Sequence, residues 1–116
     1  MRVFKYFTRE EFACKCGCSG NGIQDDFIAF LDELREMCGF AFHVNSGWRC
    51  KNHPDEVKKD KPGMHNTGWA ADIRISGSYQ RYIIQKWAYA LGFLGIGPAK
   101  GFVHVDKREK ESSWVY

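Results

Sequence analysis

His65, Asp72 and His104 are the residues whose types first invite chemistry. Asp72 stands in Ala70-Ala71-Asp72-Ile73. A carboxylate in so apolar a run is costly unless it is paired or meets a cation. Two imidazoles and one carboxylate form a ligand set for a catalytic Zn²⁺ whose fourth position is open to water. The same residues also read as a buried salt bridge from Asp72 to His65 or Arg74, with His104 a hydrogen-bonded core histidine; spacing alone leaves both readings open. Arg49, in Ser46-Gly47-Trp48-Arg49-Cys50, directly follows a β-type run. A guanidinium at a strand end can clamp a carboxylate through two parallel hydrogen bonds, or it is simply a surface arginine.

The chain has five cysteines, three of them crowded as Cys14-Lys15-Cys16-Gly17-Cys18, with Cys38 and Cys50 apart. An odd number cannot pair completely within one chain. Three readings stand. Cys14, Cys16 and Cys18 with Cys38 or Cys50 make a structural tetrathiolate zinc site, although their spacing lacks the two-residue separation of zinc knuckles. A disulfide joins the N-terminal cluster to Cys50 outside a reducing cell. Or the thiols are free, with Cys38 continuing the apolar face of its helix.

These groups need elements to hold them. Thr8 and Glu11 predict a capping box that opens a short helix through Phe12. Gly17 to Gly22 is a loop. Phe27, Phe30, Leu31, Leu34, Met37 and Cys38 recur at helical spacing, so 25–38 is a helix stopped by Gly39. Phe40 to Asn45 is a short β-type run, and Cys50 to Thr67 is irregular, broken by Pro54, Pro62 and Gly63. Lys58-Lys59-Asp60-Lys61 reads as a solvated loop. Trp69 to Ile75 alternates as a half-buried strand, with Asp72 on its polar face. Ser78 to Leu91 is a helix with Ile83, Trp87, Ala90 and Leu91 on its apolar side, and Leu94 to Lys100 is a Gly/Pro loop. Phe102 to Asp106 alternates again, Val103 and Val105 inward and His104 on the polar face. Asp72 and His104 can therefore share one side of one sheet. His43 packs or faces solvent, and Trp48, Trp69 and Trp87 read as core or cleft wall. The mixture predicts an α+β fold: one compact domain over residues 1–116, with a small antiparallel sheet and flanking helices.

Composition narrows the function classes. Of 116 residues, 44% are hydrophobic and 16% aromatic, which excludes a disordered chain. A mean hydropathy of −0.46 and the lack of any apolar run approaching ~18 residues exclude a membrane-spanning helix. A formal charge of +3 is too mild for a nucleic-acid binder, though it suits an anionic surface such as a bacterial wall. The expectation is a monomer that neither binds nucleic acid nor inserts in a membrane. Met1 to Glu10 contain no apolar signal region, so the product is expected to stay in the cytoplasm that makes it until something else releases it.

Read together, Ser46-Gly47-Trp48-Arg49, His53, Gly63 to Ile73, Gly95-Ile96-Gly97 and Phe102 to Asp106 stand in an order that resembles the zinc D-Ala-D-Ala carboxypeptidase family. That family includes VanX- and VanY-type enzymes and phage L-alanyl-D-glutamate endopeptidases, in a superfamily shared with lysostaphin-type peptidases and the hedgehog signalling domain. The chain is most similar to its short, phage-borne branch, including the start Phe7-Thr8-Arg9-Glu10-Glu11-Phe12. The resemblance implies one catalytic Zn²⁺ held by His65, Asp72 and His104. It implies that Arg49 binds a substrate carboxylate or the polarised carbonyl, with Ser46 and His53 on the substrate side; His53 alternatively fixes its own loop. Many relatives carry a Glu or Asp three residues before the last ligand, or a His two before it. Here those positions are Gly101 and Phe102, and neither can move a proton. Asp106, two residues after His104, is the nearest carboxylate on that strand face, as general base or as the acceptor that orients a histidine ring.

The function so implied is zinc-dependent hydrolysis of peptidoglycan stem peptides, as carboxypeptidase or endopeptidase, by an enzyme that reaches the wall through phage-type release or as a virion component. Gly101 and Phe102 favour a different class, a non-catalytic wall-binding or structural phage module. A third class, a redox or metal-storage protein, would be built around the cysteines.

Overall fold

Alternation over 70–75 and 102–106 makes two strands, and their register decides where the polar residues meet. The computed structural model describes residues 3–18, 20–57 and 63–108, and the backbone of 112–113; the 58–61 charge run lies outside the described residues. The strands are β1 (Val44–Ser46), β2 (Ala70–Arg74), β3 (Gly95–Pro98), β4 (Phe102–Asp106) and β5 (Ser112–Ser113). They lie in the order β1-β2-β4-β3-β5, antiparallel except for the β3–β5 pair. One rung of this sheet runs Ser46, Asp72, His104, Gly97, and another runs Ala70, Asp106, Gly95. Because side chains alternate along a strand, Asp72, His104 and Asp106 all project from one face.

The other face carries the core. Val44, Ala71, Ile73, Ile96, Val103 and Val105 pack there with Phe27, Ile28, Leu31 and Leu34 of α1 (Asp25–Cys38). Burying each such large side chain contributes about 1.5–3 kcal/mol. Two carboxylates in the first turn of α1 suit its dipole, and Gly39 closes it in the left-handed conformation. Ile28 belongs to the buried stripe, whereas Phe30 and Met37, expected inward, are exposed. α3 (Ser78–Ala90) is likewise rotated from expectation: Ile84 and Ala88 are fully buried, Trp87 and Leu91 flank them, and Ala90 faces solvent. Thr8 opens a 3₁₀ turn at Arg9–Phe12, where Glu11 accepts from the Thr8 backbone N–H at 2.7 Å and Phe12 is fully buried. No described helix is long and apolar enough to cross a membrane.

Further expectations change. The β-type run expected over Phe40 to Asn45 is a strand only at Val44–Ser46. β2 is buried on both faces from Ala70 to Ile73, because its polar face is covered in turn. Within the irregular 50–67 stretch, Met64–Thr67 forms a one-turn helix, α2, packed beside β2. Gly95–Pro98 is a strand, not a loop. Its glycine answers to space, not to a turn: a β-carbon on Gly95 would overlap the carboxylate of Asp106, while Gly95 is absent from the glycines with positive φ. Gly101 has no described atom within 4 Å of its β-position. Gly95→Ala should therefore cost about 1–3 kcal/mol through overpacking. Gly101→Ala should be neutral or stabilising by up to about 1 kcal/mol. Urea midpoints of the two variants check this, and equal midpoints would contradict it.

Candidate metal centre

α2 exists to present one imidazole. Gly63 starts it, the carbonyl of Gly63 accepts from Asn66 and Thr67, and Gly68 ends it at φ 86°. His65 in that turn donates from Nδ1 to the carbonyl of Gly47 at 2.7 Å, which leaves the lone pair of Nε2 facing the sheet. Gly47 is itself held. A β-carbon there would lie 2.6 Å from the Phe12 backbone, and the N–H of Trp48 donates to the Phe12 carbonyl at 2.8 Å. The Trp48 indole lies over Gly20 and Gly22 and donates from Nε1 to the Asn66 carbonyl at 2.8 Å.

His65 Nε2, Asp72 Oδ1 and His104 Nδ1 converge. Their separations are 3.2 Å (His65–Asp72), 3.1 Å (His65–His104) and 3.0 Å (Asp72–His104). All three residues are buried, at 4%, 6% and 4% exposure. Bonds of about 2.0–2.2 Å to a tetrahedral zinc put ligand atoms about 3.3–3.6 Å apart. The set therefore fits Zn²⁺ in chemistry and nearly in spacing, and one small outward shift of each ring completes it.

Asp106 lies on the far side of His104. Its Oδ2 is 2.7 Å from Nε2 of that ring, so the ring's Nδ1 is directed at Asp72. Asp106 is fully buried. Arg108 grips it through Nε at 2.8 Å, Nη2 at 2.6 Å and the backbone N–H at 3.1 Å. Burial would raise the Asp106 carboxyl, but the hydrogen bonds from Arg108 and His104 outweigh it and bring it from 3.8 to about 2. Burial likewise opposes the charge on Asp72, and the donors on His104 and His65 reverse this, holding it well below the carboxylate range. Burial disfavours charge on His104 too, but the hydrogen bonds to Asp106 and Asp72 raise its pKa. Without metal, an imidazolium between two carboxylates satisfies all three; a divalent cation replaces its inner proton.

Arg49 borders the same carboxylate. Nη2 is 3.2 Å from Asp72 Oδ2, and Nε donates to Ser46 Oγ at 3.1 Å. Its carbonyl accepts from Asn66 Nδ2 at 2.8 Å. Ser46, expected on the substrate side, thus holds the guanidinium. His53 Nδ1 accepts from the Asp55 N–H at 3.1 Å, and Asp55 lies 3.8 Å from Arg49. His43 is exposed. Sequence reasoning missed Arg108 and the Gly47 carbonyl. Arg108 had a signal, a cation one strand period beyond Asp106; a backbone carbonyl has none.

The shifts imply a stability window for the chelated protein. The depressed carboxyls of Asp106 and Asp72 stabilise above the unfolded value of about 4, and that stability is lost as pH falls through their folded values. The raised His104 stabilises below about 6.5, and that stability is lost as pH rises through its folded value. Asp106 alone accounts for about 2 kcal/mol of the acid limb. Urea midpoints of chelated protein at acid, neutral and alkaline pH should trace this dome, with the acid limb shallower in Asp106→Asn.

A family model described as peptidase M15 matches residues 5–106. No curated protein matches the chain. The matched span contains both imidazoles, Asp72, Arg49 and Asp106. By that match, over most of its length, the chain belongs to the peptidase M15 family, the zinc-dependent D-Ala-D-Ala carboxypeptidase family.

Proposed function

We propose that the chain is a zinc metallopeptidase that hydrolyses stem-peptide bonds of bacterial peptidoglycan. The observation that carries this reading is the convergence of three ligand atoms within 3.0–3.2 Å beside an ordered arginine. Zn²⁺ held by His65, Asp72 and His104 would supply a Lewis acid for the scissile carbonyl and acidify water. The chain's own groups do the rest. Arg49, pre-set by Ser46 and Asn66, offers a charged fork to a substrate carboxylate or to the oxyanion that develops from the carbonyl. A cleft of about 610 Å³ lined by Met64, Thr67, Trp69, Lys107 and Arg108 lies beside α2. Its indole and thioether offer an apolar wall, while Lys107 is turned to the Leu91 and Gly92 carbonyls and Arg108 to Asp106.

Asp106 acts here as a positioning residue: it fixes the tautomer and tilt of His104, and its oxygens are already occupied by Arg108 and His104. The proton of the attacking water then goes to another group. That group is the departing amine, reached through solvent, because His53 Nδ1 already accepts from the Asp55 N–H and its ring serves to fix its own loop. The reading extends to place: a mildly basic chain suits an anionic wall, reached by phage-type release or as part of a virion.

The second reading, a non-catalytic wall module, rests on Gly101 and Phe102, where a base is missing. Peptide release from purified peptidoglycan decides between them: release that chelator stops and zinc restores supports the peptidase, whereas wall binding without release supports the module. Within the peptidase reading, Arg49→Ala should lower turnover by about 10²–10³-fold with the melting temperature of the zinc form little changed. Asp106→Asn should weaken zinc by about 10–100-fold, with activity restored at saturating zinc. If Asp106→Asn stays inactive at full zinc loading, Asp106 is the base after all.

A further inference from the structure

The geometry points to a second metal centre: Cys14, Cys16, Cys18 and Cys50 form a structural tetrathiolate zinc site that anchors the Arg49 loop to the N-terminal segment. The spacing along the chain argued against this, because the cysteines alternate with single residues. The fold supplies what the spacing lacks. One ligand atom from each of the four lies within 4.8 Å of all the others. Cys14 Sγ and Cys50 Sγ are each 3.4 Å from Cys16 Sγ. Four thiolates about 2.3 Å from a tetrahedral zinc are about 3.8 Å from one another, inside the range observed.

Two backbone amides already point at the sulfurs. The N–H of Cys50 donates to Cys14 Sγ at 3.4 Å, and that of Gly20 donates to Cys18 Sγ at 3.3 Å. Such donors favour thiolate over thiol, the form a metal requires. The backbone also closes the loop, Cys14 donating to the Gly20 carbonyl at 2.8 Å. Cys14 is buried, Cys50 half-buried, and Cys16 and Cys18 exposed, so an ion can enter from solvent without unfolding the chain. The fifth cysteine stands apart: Cys38 packs against the core, its Sγ 3.8 Å from the Ile83 carbonyl. The odd count is thereby resolved as four ligands and one core residue. A tetrathiolate uses all four sulfurs at once, whereas a single disulfide to Cys50 would leave two clustered thiols with no partner.

The position of the site gives it a role. Cys50 follows Arg49 directly, and Trp48, one residue before, lies over Gly20 and Gly22 of the cysteine loop. An ion here would pin the end of the segment that carries the guanidinium while sharing none of the ligands of the histidine centre. The inference does not rest on the peptidase reading.

The test uses the full chain, produced and purified under reducing conditions with zinc supplied. Elemental analysis should find about two zinc equivalents per chain. His104→Ala should lose one of them, and Cys16→Ser combined with Cys18→Ser should lose the other while the histidine site stays loaded. Exchange of zinc for Co²⁺ in the wild-type chain should produce intense thiolate-to-cobalt charge-transfer absorption, which the histidine site alone cannot give. That measurement stands even if the serine variant fails to fold. One zinc equivalent and no thiolate band in the wild-type chain would overturn the proposal. So would an intact mass two hydrogens light, with Cys50 in a disulfide.

Discussion

A carboxylate in the middle of a strand buried on both faces must be answered by donors or by a cation, and most of this molecule is arranged around that demand. Asp72 receives an imidazole from the neighbouring strand, an imidazole from a one-turn helix and a guanidinium from a loop. Each arrives from a different part of the chain, so the site exists only when the sheet, α2 and the 46–50 segment are all in place. The register of β2 against β4 is the first requirement. A slip by one residue would send Asp72 or His104 to the hydrophobic face and expose the core residues beside it. The alternating valines of β4 therefore enforce the geometry of the metal centre as well as the packing of the core.

The two histidines are oriented by partners of different character. His65 is held by a neutral backbone carbonyl and His104 by a buried carboxylate. The second arrangement makes the His104 ring the more electron-rich ligand. Once the inner proton of His104 is displaced, the other charges around the site are already balanced: Asp72 faces Arg49, and Asp106 faces Arg108. With neutral imidazoles, a dication in this setting keeps most of its charge. The Arg108 grip has a second effect, since together with His104 it holds the Asp106 carboxyl low against the burial that pushes it up. Gly95 gives that carboxylate its room.

The parts legible in the sequence were those governed by strict periodicity: the alternating strands at 70–75 and 102–106, the helix over 25–38, and the placing of Asp72 and His104 on one sheet face. The family resemblance contributed the pairing of those residues with His65 and Arg49. What stayed illegible has three physical causes. Gly95–Pro98 reads as a loop because glycine and proline are turn formers, yet here glycine answers to a neighbour's volume. The faces of α1 and α3 were turned by a residue because Phe30, Met37 and Ala90 are apolar but sit at the edge of the contact, where packing and not hydropathy decides. The cysteine cluster was discounted on local spacing, whereas Cys50 is brought to Cys14, Cys16 and Cys18 only by the folding of the 47–50 segment onto Phe12.

That segment shows how a small chain holds reactive groups on a piece of backbone with little regular structure. Loops carry function but are the least rigid part of a fold, and a misplacement of about 1 Å at a site can cost about 10²-fold in rate. From Ser46 to Cys50 every residue has a fixing contact. Ser46 ends a strand and accepts from Arg49; Gly47 offers its carbonyl to His65 and its bare α-carbon to Phe12; Trp48 straps across two glycines; Arg49 is tied at its N–H, its carbonyl and its guanidinium; Cys50 joins the sulfur cluster. Most of these contacts contribute a hydrogen bond's worth of stability, about 1 kcal/mol, and the charged pair of Arg49 with Asp72 somewhat more. Their number removes the freedom of five consecutive residues, and so the loop carrying Arg49 can be as well placed as a residue on a strand.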